Sequence, residues 1–207
     1  MSNSPPLGTR SQLMTVILLA LLLGLQPITT DLYLPALPAM AQGFNASMVH
    51  AQLTLTSLLL AFGTSQLVWG PLSDKWGRRP VLLGGIAVYL ASAIGCVLAP
   101  SIEALIAART LQGVAMGACV MAARAIVRDL YEPLQGAKVM SQALTGLGVI
   151  ACTCVPVGGF LTDLLGWRWA LSSLLLFAGI TGALIYIYFD ESLKQRNPQA
   201  LQINNFW

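Results

Sequence analysis

Two ionisable side chains sit inside stretches that are otherwise apolar enough to cross a bilayer. They are Asp31, in LGLQPITTDLYLP, and Arg109, in ALIAARTLQGVAMG. A charge in hydrocarbon is costly, which makes each a functional candidate by default. Burial disfavours the charged form of a carboxyl group, a property that suits a group loading and releasing a proton. Arginine presents a planar fork of donors that lysine cannot replace. Arg109 lies seven or so residues from the end of its helix, roughly 10 Å deep at about 1.5 Å per residue. Asp31 lies at a comparable depth from the same side. Comparable depths allow one shared polar site, in which protonating Asp31 loosens its hold on Arg109, only if the two helices stand side by side. The plainer alternatives are an Asp31 already wet at the interface, a few residues before Pro35, and a purely structural Arg109. Tyr33, close by, can stack on an aromatic ligand or serve as an interfacial aromatic.

A second constellation lies at the membrane edge. GPLSDKWGRRP, from Gly70 to Pro80, places Asp74 four residues before Arg78 and five before Arg79. Gly70 and Gly77 permit a tight turn and close helix approach. Asp74 can accept hydrogen bonds from Arg78 or from a helix amino terminus. Such a cluster can latch one conformation and open in another. Arg128 and Asp129, in ARAIVRDLYEP, follow the fourth span, and Asp129 is the candidate partner for Arg78. The bland readings are a basic loop that only fixes topology and a solvated Arg128–Asp129 pair.

The elements that must position these groups follow from composition. Of 207 residues, 56% are hydrophobic and 9% charged. A soluble domain carries about 25% charged residues, so lipid must solvate most of this surface. The net charge of +3 gives no indication of nucleic acid as a partner. Cys96, Cys119, Cys152 and Cys154 all fall in apolar runs and read as packing residues, with no metal site. No phosphate loop, zinc helix or nucleophile elbow is present, so neither an enzyme nor a cofactor is expected. The triplet from Asn45 to Ser47 fits a glycosylation sequon and reads as chance.

About 20 apolar residues span a bilayer as a helix. Six segments qualify, at 13–35, 51–69, 80–99, 102–123, 138–161 and 168–189, within a bundle over 13–189. The first lacks a cleavage site and reads as a retained helix rather than a signal peptide. Residues 1–12 and 190–207 then form terminal segments. Arg10, Lys75, Arg78, Arg79, Arg124, Arg128, Lys138, Lys194 and Arg196 fall on one side if the helices alternate, against Arg168 on the other. That asymmetry predicts both termini in the cytoplasm.

GPLSDKWGRR (70–79) and GFLTDLLGWR (159–168) both fit G-x-L-[S/T]-D-x-x-G-x-R. They pair Asp74 with Asp163, Gly77 with Gly166 and Arg79 with Arg168. A loop repeated three helices later emerges on the opposite face, the mark of an inverted three-plus-three repeat.

The Gly70–Pro80 string reproduces the G-x-L-[A/S]-D-[K/R]-x-G-R-[K/R] signature of major facilitator transporters. Arg109, Gln112 and Gly113 match the R-x-x-Q-G element of the fourth helix in that superfamily. TTDLYLPALP, from Thr29 to Pro38, together with QLVWGPLSDKWGRRPVLL and ARAIVRDLY, resembles the Bcr/CflA drug-resistance subfamily from about Leu13 to Leu193. The resemblance implies an all-α membrane protein built as the amino-terminal half of that fold, with helices one and four lining a central cavity. It implies proton-coupled export of small hydrophobic or cationic drugs or metabolites across a bacterial inner membrane. It assigns Asp31, Arg109, Tyr33 and Gln112 to proton coupling or the cavity. Gating falls to Gly70, Asp74, Gly77, Arg78, Arg79, Arg128 and Asp129. CVPVGG (154–159) departs from the G-P-x-x-G-G element of proton-driven exporters, since Pro156 stands one residue too close to the glycine pair. Such transporters have about twelve helices, and DESLKQRNPQALQ resembles the start of the linker between halves. A truncated product, a homodimer and pairing with a separate second half are the expectations that follow. A metabolite facilitator and an inert or regulatory fragment are the competing functions.

Overall fold

The computed structural model describes residues 9–193, with side chains from Gln12 onward. Readings that rest on the terminal segments, including Arg10, Lys194, Arg196 and the linker over 194–207, lie outside the described residues. Seven helices follow in order: α1 (Thr9–Thr30), α2 (Leu37–Gly43), α3 (Met48–Trp76), α4 (Arg78–Val97), α5 (Ile102–Leu130), α6 (Pro133–Leu165) and α7 (Trp167–Tyr188). Hydropathy and length make six membrane-capable rods of them, because α1 and α2 join into one run over Gln12–Gly43. Lipid offers no hydrogen bonds, so a spanning segment must satisfy its backbone internally, and a helix does so.

The first rod is broken where one helix over 13–35 was expected. α1 stops at Thr30, a turn covers 31–33, and a 3-10 turn spans Leu34–Ala36 before α2. Pro35 and Pro38 are the cause. Neither has an N–H to donate to the carbonyl four residues back, and each disfavours helical geometry in the residue before it. The backbone turns to shorter bonds, from Leu34 N–H to the Asp31 carbonyl at 3.3 Å and from Ala36 N–H to the Tyr33 carbonyl at 3.0 Å. Elsewhere the helices outrun their apolar cores. α5 extends through Leu130, so Arg128 and Asp129 belong to its last turn rather than to a loop.

Two one-residue connections carry the sequence repeat. Gly77 (φ 105°, ψ 160°) joins α3 to α4, and Gly166 (φ 91°, ψ 161°) joins α6 to α7. That backbone region is essentially closed to residues with a Cβ. Each glycine N–H caps the helix before it, Gly77 on the Ser73 carbonyl and Gly166 on the Thr162 carbonyl, both at 3.0 Å. Packing follows the same symmetry, for α3 lies along α5 as α6 lies along α1. One of the differences between the repeats changes what the turn holds. Trp167 stands where Arg78 stands in the first copy, and it packs on Phe44 instead of joining an ion cluster.

α5 is the central helix. It packs against α3, α4 and α1, and Gly113, Ala115, Gly117, Ala118 and Ala122 on it are buried. Small residues let helix backbones approach where no hydrophobic effect drives them together. A side chain at Gly113 would collide with the Leu58 carbonyl of α3. At the Gly166 end, Gly158 of α6 meets the Leu32 carbonyl just beyond α1 in the same way. The buried apolar residues form two clusters, one around Leu22, Leu58, Tyr89 and Met116, the other around Tyr33, Met40, Leu105 and Leu171. α3 and α6 leave large apolar side chains outward, among them Leu60, Leu67, Val149 and Phe160.

Candidate functional site

Between the two apolar clusters lies a seam of polar side chains. Arg109 and Gln112 reach it from α5, Thr29 from α1, Tyr33 from the turn after it, Thr54 from α3, and Tyr89 and Cys96 from α4. All seven are at most 1% exposed. Arg109 and Gln112 are three apart, one turn of helix, and so share a face. The Arg109 Nη1 donates to the Gln112 Oε1 at 3.0 Å and to the Thr29 carbonyl at 3.2 Å. The guanidinium lies 3.8 Å over the Tyr33 ring, within cation–π range.

Two hydroxyl relays tie the neighbours in. Thr29 donates to the Leu25 carbonyl, so Tyr89 donates to Thr29, at 2.6 Å. Thr54 donates to the Ala51 carbonyl and accepts from the Tyr33 hydroxyl. Cys96 makes a weaker contact to the Gln112 oxygen at 3.8 Å. Among the described residues no carboxylate enters the seam, and Arg109 Nε and Nη2 and Gln112 Nε2 have no hydrogen-bond partner. Unpartnered donors on a buried guanidinium are costly, and the Tyr33 ring covers part of that charge.

The expected ion pair between Asp31 and Arg109 is not formed; among the described residues no ion pair joins them. The break at 31–33 explains this. Asp31 leaves the helix just before its face could be extrapolated, and its carboxylate accepts from Thr30 Oγ1 at 2.7 Å in a half-buried position. Tyr33 also differs from expectation. Its ring is covered by Arg109 and its hydroxyl is engaged, so it presents no face to a ligand here. Thr29, Tyr89, Thr54 and Cys96 were not singled out by sequence. A mid-span tyrosine such as Tyr89 was the available signal, because a buried phenol needs a partner.

At the Gly77 end the Asp74–Arg78–Asp129 cluster is assembled. Arg78 is 1% exposed. Its Nη2 lies 2.6 Å from Asp74, its Nε donates to Asp129 at 2.7 Å, and its Nη1 donates to Ser73 at 2.9 Å. Three helices, α3, α4 and α5, are thereby held by one fork. The helix amino terminus offered to Asp74 by sequence is taken by another carboxylate. Glu191, beyond α7, accepts from Arg78 N–H at 2.9 Å and from Arg79 N–H at 3.3 Å. It lies where a Cβ on Gly77 would be, so this connection needs glycine twice over. Arg79 turns outward to the Tyr186 carbonyl at 3.1 Å, and Arg128 stands 3.8 Å from Asp74.

Comparison with known proteins gives the frame for both clusters. The family model for the Major Facilitator Superfamily matches residues 19–205. The chain is 36% identical over 183 residues to a chloramphenicol resistance protein of Pseudomonas aeruginosa, covering 88% of this chain and 44% of that protein. It is 30% identical over 196 residues to a bicyclomycin resistance protein homolog of Haemophilus influenzae, covering 94% and 49%. The chain thus spans about half the length of the curated relatives it matches. The solved structure of the proton:xylose symporter XylE, bound to 6-bromo-6-deoxy-D-glucose, superposes with a TM-score of 0.75 at 17% identity. It covers 87% of this chain and 45% of the symporter chain, a likeness of fold.

Proposed function

The chain belongs to the Major Facilitator Superfamily, a family of transporters rather than enzymes, and on that premise we propose that its six spans form one wall of a proton-coupled exporter of drugs or small metabolites. The observation that carries this reading is Arg109, wholly buried, with two nitrogens free and no carboxylate beside it. Asp31 stands two residues beyond Thr29, whose carbonyl Arg109 already holds. In the proposed cycle, deprotonated Asp31 is drawn to the free Arg109 donors. Proton binding releases it, and Arg109 returns to Gln112, Thr29 and the Tyr33 ring. The Arg78 cluster holds α3, α4 and α5 together in one state and parts in the other, with Gly70, Gly77, Arg79 and Arg128 shaping its surroundings.

The basic end, with Lys75, Arg78, Arg79, Arg124, Arg128 and Lys138, is proposed as cytoplasmic, in a bacterial inner membrane. A second six-helix unit supplies the facing wall. The drug-resistance names of the relatives favour export over metabolite uptake.

The test is drug-driven proton movement in everted membrane vesicles carrying the chain, with chloramphenicol as first probe. Asp31→Asn should abolish coupling and Arg109→Lys should weaken it at equal protein level. Unchanged coupling in Asp31→Asn removes Asp31 from the mechanism. No flux from the unmodified chain favours the reading of a fragment without transport of its own, which its half-length match already allows.

A further inference from the structure

The Arg109 Nη1 has two acceptors, the Thr29 carbonyl at the end of α1 and the Gln112 side chain of α5. Both acceptor residues are touched from α4. Tyr89 reaches Thr29 Oγ1 at 2.6 Å, and Cys96 reaches Gln112 Oε1 at 3.8 Å. The two α4 residues are seven apart, about 10 Å along two turns, and so stand on one face. Thr29 sits where α1 runs out. The last carbonyls of a helix have no partner within it, and α1 ends at Thr30. The Pro27 carbonyl takes the Asp31 and Leu32 N–H groups, and the Thr29 carbonyl takes Arg109. A cation at the negative end of a helix dipole is favourably placed.

That placement holds only while the last turn of α1 keeps its rotation, and Pro35 and Pro38 deny it the support of a helix running on. Tyr89 pins the turn from the side. Its ring is wholly buried in the apolar cluster that includes Leu22, Leu58 and Met116. A phenylalanine fills the same space, so packing alone does not call for the hydroxyl, and a buried phenol needs a partner. The Thr29 hydroxyl donates to the Leu25 carbonyl one turn back. Its oxygen is left to accept from Tyr89, which fixes the direction of the bond. One threonine thereby joins α4, through its side chain, to α5, through its carbonyl.

We propose that Tyr89 is a positioning residue for Arg109: its hydroxyl holds the last turn of α1 at the rotation that presents the Thr29 carbonyl to the guanidinium. Without that hydroxyl the turn is free to rotate, and Nη1 keeps only Gln112. The role rests on the reading of Arg109 as the cation of a proton-coupled cycle. In that cycle Asp31 competes with the Thr29 carbonyl for the guanidinium, so Tyr89 sets how firmly Arg109 is held between proton events. The geometry itself is tested without transport.

The experiment is nitrogen-15 NMR of the full chain in micelles with labelled arginine, reading how fast the Arg109 guanidinium protons exchange with water. The Arg109 signal is the one lost in Arg109→Lys. Tyr89→Phe should speed its exchange about fivefold, the change that one hydrogen bond of about 1 kcal/mol gives. Thr29→Val removes the same bond from the α1 side, keeps the carbonyl and should match that change. It carries the test alone if Tyr89→Phe does not fold. Ser92→Ala is the control. It deletes a buried hydroxyl one turn further along α4 that bonds the Tyr89 carbonyl, and should leave the Arg109 exchange as it was. The proposal is overturned if Tyr89→Phe or Thr29→Val leaves the exchange at the unmodified value. It is equally overturned if Ser92→Ala raises it as far, which means general loosening of the bundle. Absent drug-driven proton movement with the Tyr89 effect intact counts against the transport reading alone.

Discussion

Arg78→Lys separates a fork from a charge. The Arg78 side chain is 2% exposed and uses three different nitrogens on three acceptors. A lysine ammonium reaches one carboxylate and cannot span the set. The Asp129 bond, to a carboxylate 14% exposed, is of the charge-assisted kind worth about 1.5–3 kcal/mol. The Asp74 contact, 38% exposed, falls in the range of about 0.2–1 kcal/mol for solvated pairs. The buried Ser73 hydroxyl adds about 0.5–1.5 kcal/mol. A lysine that keeps Asp129 loses the other two, and one that keeps Asp74 loses Asp129. Either way the loss is about 1–3 kcal/mol. Arg79→Lys is the internal control. It is adjacent, in the same motif, yet its ion pair is 3.9 Å long with a fully exposed Asp190, so no resolvable change is expected. The assay is unfolding in mixed micelles, with tryptophan fluorescence read against the fraction of denaturing detergent. If Arg78→Lys and Arg79→Lys behave alike, the fork is not what joins α3, α4 and α5.

Three further outcomes can be read by the same assay. Tyr33→Phe keeps the ring under Arg109 and gives up the bond to Thr54, a loss of about 1 kcal/mol. Tyr33→Leu removes the ring as well, and should cost about 2 kcal/mol more; equal losses mean that the ring does not hold Arg109. Gly158→Val forces a side chain into the Leu32 carbonyl and should destabilise by about 1–3 kcal/mol. Gly159→Ala, whose Cβ would find Pro35 at 3.9 Å, should be near neutral, and a reversed order would deny the close approach of α6 to α1. Glu191→Ala loses a helix cap worth about 1 kcal/mol, while Gly77→Ala adds backbone strain of about 1–3 kcal/mol to a collision with Glu191. The double variant should recover the collision and keep the strain, so strict additivity would place Glu191 away from Gly77.

The Asp74–Arg78–Asp129 cluster was legible because its determinants are local. Charges are costly in hydrocarbon, so most gather at helix ends, and Gly77 fixes where α3 turns into α4. Arg109 was legible as a charge in an apolar run. Its surroundings were not. Thr29, Tyr89, Thr54 and Cys96 are residue types that occur in spanning helices for many reasons, and no period marks the ones that meet. The Asp31–Arg109 ion pair is absent from this conformation because the helical face does not continue past Thr30, where Pro35 and Pro38 unwind the chain.

The sequence alone determined six spans, their alternation, the family resemblance and two matched glycine turns. Hydropathy acts segment by segment in lipid, and a positive φ selects glycine at one residue. Only the tertiary structure decided which groups Arg109 holds. That bond reaches across 80 residues to Thr29. It depends on the rotation and depth of α1 against α5, in a bundle where Gly113 brings α5 against α3 and Gly158 brings α6 against Leu32. The free donors of Arg109 are likewise a property of the assembled bundle, since a span read alone cannot show which of its polar atoms its neighbours leave unpaired.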